Sequence, residues 1–199
     1  MNRLSAFRHR LIGDRRGASI PEFALIMIPL FLLILGGLDM GYQIYVRSVL
    51  LGAMERATRL TTLQTVDNDA VENDIESTVK GIAPYATVVT TKGSFNNYSN
   101  INTMERLTKD VNGNNVLDSG DCWEDIDDNG IRNVVVSGKA NSIGGADDIV
   151  RYETKVTYKR ILPVWRMIGV SDTVSMTANT LTKRQPYEKQ DPVVPKCKL

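Results

Sequence analysis

Histidine is almost missing from this 199-residue chain: there is one, His9, and it lies within the first ten residues. That excludes an HExxH zinc protease and any Ser-His-Asp triad whose histidine sits in the folded body. Cysteine is nearly as scarce, with only Cys122 and Cys197, so neither a disulfide-dense mini-fold nor a thiolate zinc module is available. Charge of one sign is lacking too. The 24 Lys+Arg stand against 23 Asp+Glu, a formal net charge of +1, and no basic excess points to a nucleic-acid partner. No nucleophile–base pair and no phosphate-cradling glycine loop is visible, which argues against an enzyme.

The averages conceal a strong asymmetry. Residues 1–17 carry Arg3, Arg8, Arg10, Arg15 and Arg16 against Asp14 alone. The longest apolar run follows, Ile20 to Leu38, whose 19 residues would span about 28 Å as a helix, close to the roughly 30 Å of bilayer hydrocarbon. It exceeds the apolar core of a secretory signal, and no A-x-A-like site or nearby cysteine follows it. The pattern predicts a single membrane helix. Its N-terminus is expected in the cytoplasm, where the arginines gather, and the remainder is expected to be exported. The one charge inside the run is Glu22. A carboxylate at a membrane helix end is a functional-site hypothesis, set against simple snorkelling to the headgroups.

The junction reads Arg15-Arg16-Gly17-Ala18-Ser19-Ile20-Pro21-Glu22-Phe23. Gly17, four residues and then Glu22 resemble a class III prepilin signal. With Ala24-Leu25, Pro29-Leu30, Gly41 and Ala53…Arg56-Ala57-Thr58-Arg59, the stretch resembles more narrowly the TadE-like minor pseudopilins of Flp/Tad (tight adherence) pilus systems. Pro21 departs from the commoner residue before the glutamate but suits the first turn of a helix. The resemblance implies cleavage by a prepilin peptidase between Gly17 and Ala18, and Glu22 facing the freed amine of a neighbouring subunit. It also implies other pilins, pseudopilins and the Tad inner-membrane assembly platform as partners. Loss of the leader removes five Arg and one Asp, taking the net charge from +1 to −3.

Past the bilayer, Gln43–Thr65 has no proline, and Ile44, Val46, Leu50, Ala53, Met54, Ala57 and Leu60 recur near helical spacing. Gly37-x-x-x-Gly41 matches a close-approach pattern for membrane helices, although glycine is common there anyway. A second helix is predicted over 69–80, opened by the capping box Asp69-x-x-Glu72 and closed by Gly81 and Pro84. Strands are predicted at 86–91, 132–137, 149–160 and 174–180, the third alternating Tyr152, Thr154, Val156 and Tyr158 with charged residues. Residues 163–169 read as a helical turn. The expected fold is α+β: a long N-terminal transmembrane helix, a short second helix and three or four antiparallel strands, pilin-like in outline. Its expected parts are a cleaved basic leader (1–17), the helix (18–65, in the membrane over about 20–38), a small extracytoplasmic domain (66–184) and a Pro- and Lys-rich flexible tail (185–199).

Between Asp110 and Ile131 there is no Lys or Arg, and seven carboxylates fall in that window. Short acidic and amide side chains at alternate positions suit a hard cation such as Ca²⁺. Asp110, Asn112, Asn114, the Val116 carbonyl, Asp118 and Asp121 occupy loop positions 1, 3, 5, 7, 9 and 12. They resemble dockerin-type and EF-hand-like calcium loops, with Asn115 in place of the turn glycine and Asp121 in place of the bidentate glutamate. Asp125, Asp127, Asn129, the Ile131 carbonyl and Asn133 repeat the pattern with Gly130 at the turn, but the twelfth position is Val136, which cannot ligate. The doubled spacing favours structural Ca²⁺ over a solvated acidic loop. Cys122 and Cys197 both lie on the expected exported side, where oxidising conditions favour a bridge. Two readings lead: a processed pseudopilin of a bacterial inner membrane and its pilus, or an unprocessed, single-pass anchored extracytoplasmic binding protein with a calcium-stabilised loop.

Overall fold

A 43-residue helix, α1 (Ser19–Thr61), opens the described part of the molecule. The computed structural model describes residues 19–62, 68–162, 164–167, 169–187 and 189–199. The leader, with Gly17 and Ala18, therefore lies outside the described residues. Glu22 stands in the first turn of α1 and Pro29 lies inside it. The apolar stretch of α1 is long enough to cross a membrane. Its side chains point outward: Ile20, Phe23, Leu25, Ile28, Leu33 and Leu38 are all more than 60% exposed. From Val46 onward the same helix changes character, with Val46, Leu50, Ala53, Met54 and Ala57 buried.

The described chain divides into two units. One holds the residues up to Gln43 together with Arg160–Asp172, and the other holds Ile44–Lys159 with Thr173–Leu199. In the second unit, α2 (Asn68–Lys80) buries Val71, Ile75 and Val79, a stripe at spacing four. Arg56 of α1 bonds Asp74 at 2.7 Å and Thr78 at 2.5 Å, fixing α2 beside the C-terminal half of α1.

These helices meet a four-stranded antiparallel sheet of order β4-β1-β5-β6. Its members are β1 (Thr87–Phe95), β4 (Lys139–Ala140), β5 (Ile149–Lys159) and β6 (Thr173–Lys183). In β5, Tyr152, Thr154, Val156 and Tyr158 are buried while Glu153, Lys155 and Lys159 are exposed, the signature of a sheet covered on one face. Two polar contacts join that face to α1: Thr61 Oγ1 to Tyr152 Oη at 3.1 Å and Thr154 Oγ1 to Met54 Sδ at 3.2 Å.

A second sheet, of order β2-β3-β7, is made from β2 (Leu107–Lys109), β3 (Cys122–Glu124) and β7 (Pro195–Cys197). Phe95, Ile126, Val136 and Ile149 form a small core, with Ile101 and Val193 packed against it. A short helix, α3 (Val164–Met167), lies between β5 and β6.

The fold is α+β as expected, but three details differ. Residues 132–137 form no strand. Their backbone is held instead by isolated bonds (Asn133 N to Glu105 Oε2, Glu105 N to the Asn133 carbonyl, Val136 N to the Thr103 carbonyl), and Val134 and Val135 stay exposed. Gly138 then turns the chain at φ +84°, where a Cβ would stand 2.8 Å from the Phe95 ring. The tail expected to be flexible contributes β7, paired to β3. The long helix ends at Thr61, and residues 63–67, where it was expected to finish, lie outside the described residues.

Candidate functional site

Three groups of residues carry chemistry. At the N-terminal end of α1, Glu22 and Phe23 are both exposed. The carboxylate sits where the helix dipole is positive. Among the described residues it makes no ion pair. Further along, a Cβ on Gly37 or Gly41 would meet nothing within 4 Å, so this strip of α1 is smooth and uncovered by the described residues.

At the other end of the apolar run, Asp39 is buried and pairs with Arg160. Gln43 Nε2 donates to Asp39 Oδ2 at 2.8 Å, and Arg160 Nε donates to the Ser171 carbonyl at 3.0 Å. The Arg160 guanidinium also lies 5.1 Å over the Trp165 ring. A buried carboxylate without this guanidinium would be strongly destabilising, because burial leaves no water to solvate the charge. No periodicity in the sequence announces a pair 121 residues apart.

The third group is the pair of acidic loops. In the first, Asp110 accepts from the backbone N–H groups of Gly113 (2.7 Å) and Asn115 (2.8 Å). Asn112 and Asn114 each donate from Nδ2 to Asp118 Oδ2 at 2.8 Å. Asp121 is fully buried and accepts from Val111 N and Asp118 N, both at 2.8 Å. Asn115, at the position of the missing turn glycine, takes φ +60°. The backbone donor of Asn115 in particular holds the Asp110 carboxyl below its usual range, and the amides of Asn112 and Asn114 do the same for Asp118.

In the second loop, Asp125 accepts from Asn129 N (3.1 Å) and Gly130 N (2.8 Å). Asp127 Oδ2 accepts from Nδ2 of Asn129 (3.0 Å) and of Asn133 (2.6 Å). Val136, at the twelfth position, is buried in the small core. Glu105 reaches this loop from elsewhere in the chain. This residue is fully buried, with Oε1 accepting from Ile126 N and Oε2 from Asn133 N, each at 2.8 Å. Carboxylate oxygens of Glu105, Asp125 and Asp127 gather within 4.8 Å of one another. Burial, then the charge of Glu105 and the proximity of Asp125, push the Asp127 carboxyl up, and its buried Oδ1 has no hydrogen-bond partner. Such a set of oxygens fits a hard divalent cation. Spacing does not point to Glu105, which lies 20 residues upstream of the loop it bonds; only a lone acid between Met104 and Arg106 marks it.

Cys122 and Cys197 form a disulfide that staples β3 to β7. Closing a loop with a sequence separation of 75 stabilises by about 4–5 kcal/mol in the chain-entropy picture. It also brings Lys196 to the second loop, 2.7 Å from Asp125 Oδ2 and 2.9 Å from Asp128 Oδ1. Burial opposes ionisation of Asp125, but Lys196 and the loop N–H groups outweigh it and hold that carboxyl low. Lys198 Nζ donates to the Leu117 carbonyl at 3.0 Å in the first loop. The basic tail thus offsets part of the negative charge of both loops.

Residues 17–59 match the family model of TadE-like proteins. No curated protein and no solved structure matches the chain.

Asp127 costs the fold stability while it is ionised, because its folded-state carboxyl is raised above the unfolded value. That cost is fully present at neutral pH, fades as pH falls through the raised folded-state value toward the ordinary carboxylate range, and is gone below it. Asp127→Asn is therefore expected to melt a few degrees above the parent at pH 7 in the presence of a chelator. The difference should shrink toward zero near pH 3 in calorimetric scans across pH.

Proposed function

We propose that the chain is a minor pseudopilin of a Tad-type pilus, processed between Gly17 and Ala18 by a prepilin peptidase. It acts by assembly rather than catalysis, in pilus biogenesis, adhesion and surface attachment. The observation that carries the reading is a coincidence within 17–59, the TadE-like segment. Gly17 in the sequence, an exposed Glu22 in the first helical turn and a long outward-facing apolar helix occur together there. The arginine-rich leader supports a cytoplasmic N-terminus and a periplasmic second unit. After the cut, the Ala18 amine and a neighbour's Glu22 carboxylate neutralise each other in the membrane, where two bare charges would each be costly. Other pilins, pseudopilins and the inner-membrane assembly platform are the partners this implies, and the mature helix is the surface that meets them.

The acidic loops take structural Ca²⁺ on this reading. Glu105, Asp125 and Asp127, with Asn129, Asn133 and the Ile131 carbonyl, would hold it in the second loop, and Asp110, Asn112, Asn114, Val116, Asp118 and Asp121 in the first. The unpartnered Asp127 Oδ1 supports the fit of the second loop. The same loops would serve the alternative, an unprocessed anchored binding protein, so they do not separate the two.

Intact mass of the protein purified from membranes containing an active prepilin peptidase separates them. The pseudopilin reading predicts a chain beginning at Ala18, and Glu22→Ala cleaved as before but absent from sheared pili. A chain beginning at Met1 leaves the anchored binding protein. For the metal, millimolar Ca²⁺ is expected to raise the melting temperature of the parent by several degrees and that of Glu105→Gln by much less. No shift in the parent would reduce both loops to acidic turns.

A further inference from the structure

The first unit pairs the apolar half of α1 with the loop Arg160–Asp172, a loop to which the proposed function assigns no role. Its placement along α1 is defined by two contacts. The Trp165 ring lies directly over Gly36, where a Cβ would stand 3.6 Å from Cζ2. Arg160 pairs with Asp39. Gly36 is two residues before the end of the apolar run and Asp39 is one residue after it. At about 1.5 Å of rise per residue, both contacts fall within roughly 3 Å of that boundary. The loop therefore meets α1 where hydrocarbon gives way to headgroups.

Its composition suits that depth. Trp165 is half-buried with its Nε1 covered and unpartnered, so what it leaves open is aromatic ring, and indole rings concentrate at membrane interfaces. Ile161 is 61% exposed and Val170 is 41% exposed, with exposed Arg166 between them. Two open aliphatic side chains would be unfavourable in water, while a guanidinium beside them can reach phosphate. Asp39 would otherwise be a bare carboxylate at the hydrocarbon edge, and Arg160 neutralises it there.

We propose that the loop 160–172 is a second, interfacial membrane contact, seated in the headgroup region at the C-terminal end of the α1 span. Trp165, Ile161 and Val170 enter the lipid, and Arg166 engages lipid phosphate. The loop fixes the depth of α1 and so keeps Asp39 at the bilayer edge. This rests on the membrane-spanning reading of α1 and adds the loop to it.

The test uses the full chain in phosphatidylcholine–phosphatidylglycerol vesicles, with acyl chains brominated either near the glycerol or near the terminal methyl. Lipid brominated near the glycerol is expected to remove most of the Trp165 signal, about half of the emission from the two tryptophans. Bromine near the methyl end should remove far less, and Trp165→Phe should abolish the quenching. Emission quenched by aqueous iodide but not by bromolipid would place the loop in water and overturn the proposal. Emission of the Trp165 component untouched by either quencher would mean that protein covers the loop, a sister chain included, and would overturn it equally. Alkaline carbonate extraction of the same vesicles separates the two levels. A chain that stays in the pellet yet shows no bromolipid quenching sinks the loop contact alone, whereas a chain released by carbonate sinks the span and the loop together.

Discussion

One helix has to satisfy two solvents, and the rest of the molecule is arranged around that constraint. Over residues 20–38 most side chains of α1 are exposed, whereas from Val46 to Ala57 one face of the same helix (Val46, Leu50, Ala53, Met54 and Ala57) is buried. Exposed apolar surface costs about 25 cal/mol per Å² in water, so the outward half needs lipid or other helices around it. The charged residues respect this division. Glu22 opens the helix, Asp39 closes the apolar run with Arg160 as its counter-charge, and Arg56 appears only where Asp74 can meet it.

The second sheet poses a different problem. Its three strands have three residues each, too short for backbone pairing alone to hold them. Its nearby core has only four buried side chains. Covalent and electrostatic restraints make up the difference. The Cys122–Cys197 bridge fixes the tail strand, Lys196 and Lys198 reach the acidic loops, and Glu105 ties Ile126 to Asn133 from within. A small domain with little apolar surface to bury relies on such staples.

What could be read from the sequence follows from which forces are local. The helical period of α1 and α2 and the two-residue alternation of β5 and β6 are written into consecutive residues, so those elements were legible. So were the acidic loops, whose alternate Asp and Asn residues curl as the spacing implies, with Asn115 adopting the left-handed turn. Residues 134–136, three consecutive valines, misled in the other direction. Their β-propensity was overridden because only Val136 finds a core to enter. β7 was hidden because its partner lies some 70 residues away and a disulfide holds it. Glu105 and the Asp39–Arg160 pair were hidden for the same reason: long-range complementarity leaves no trace in spacing.

The central claim is that α1 passes from lipid into protein along a single helix. An accessibility scan by spin labelling tests it most directly, using nitroxides placed singly along α1 of the full chain in bilayers. At Leu25 and Leu33 the labels should relax with dissolved oxygen and ignore a water-soluble nickel chelate, while at Leu50 and Ala57 they should respond weakly to both. Strong relaxation by the nickel chelate at Leu25 or Leu33 would contradict the account.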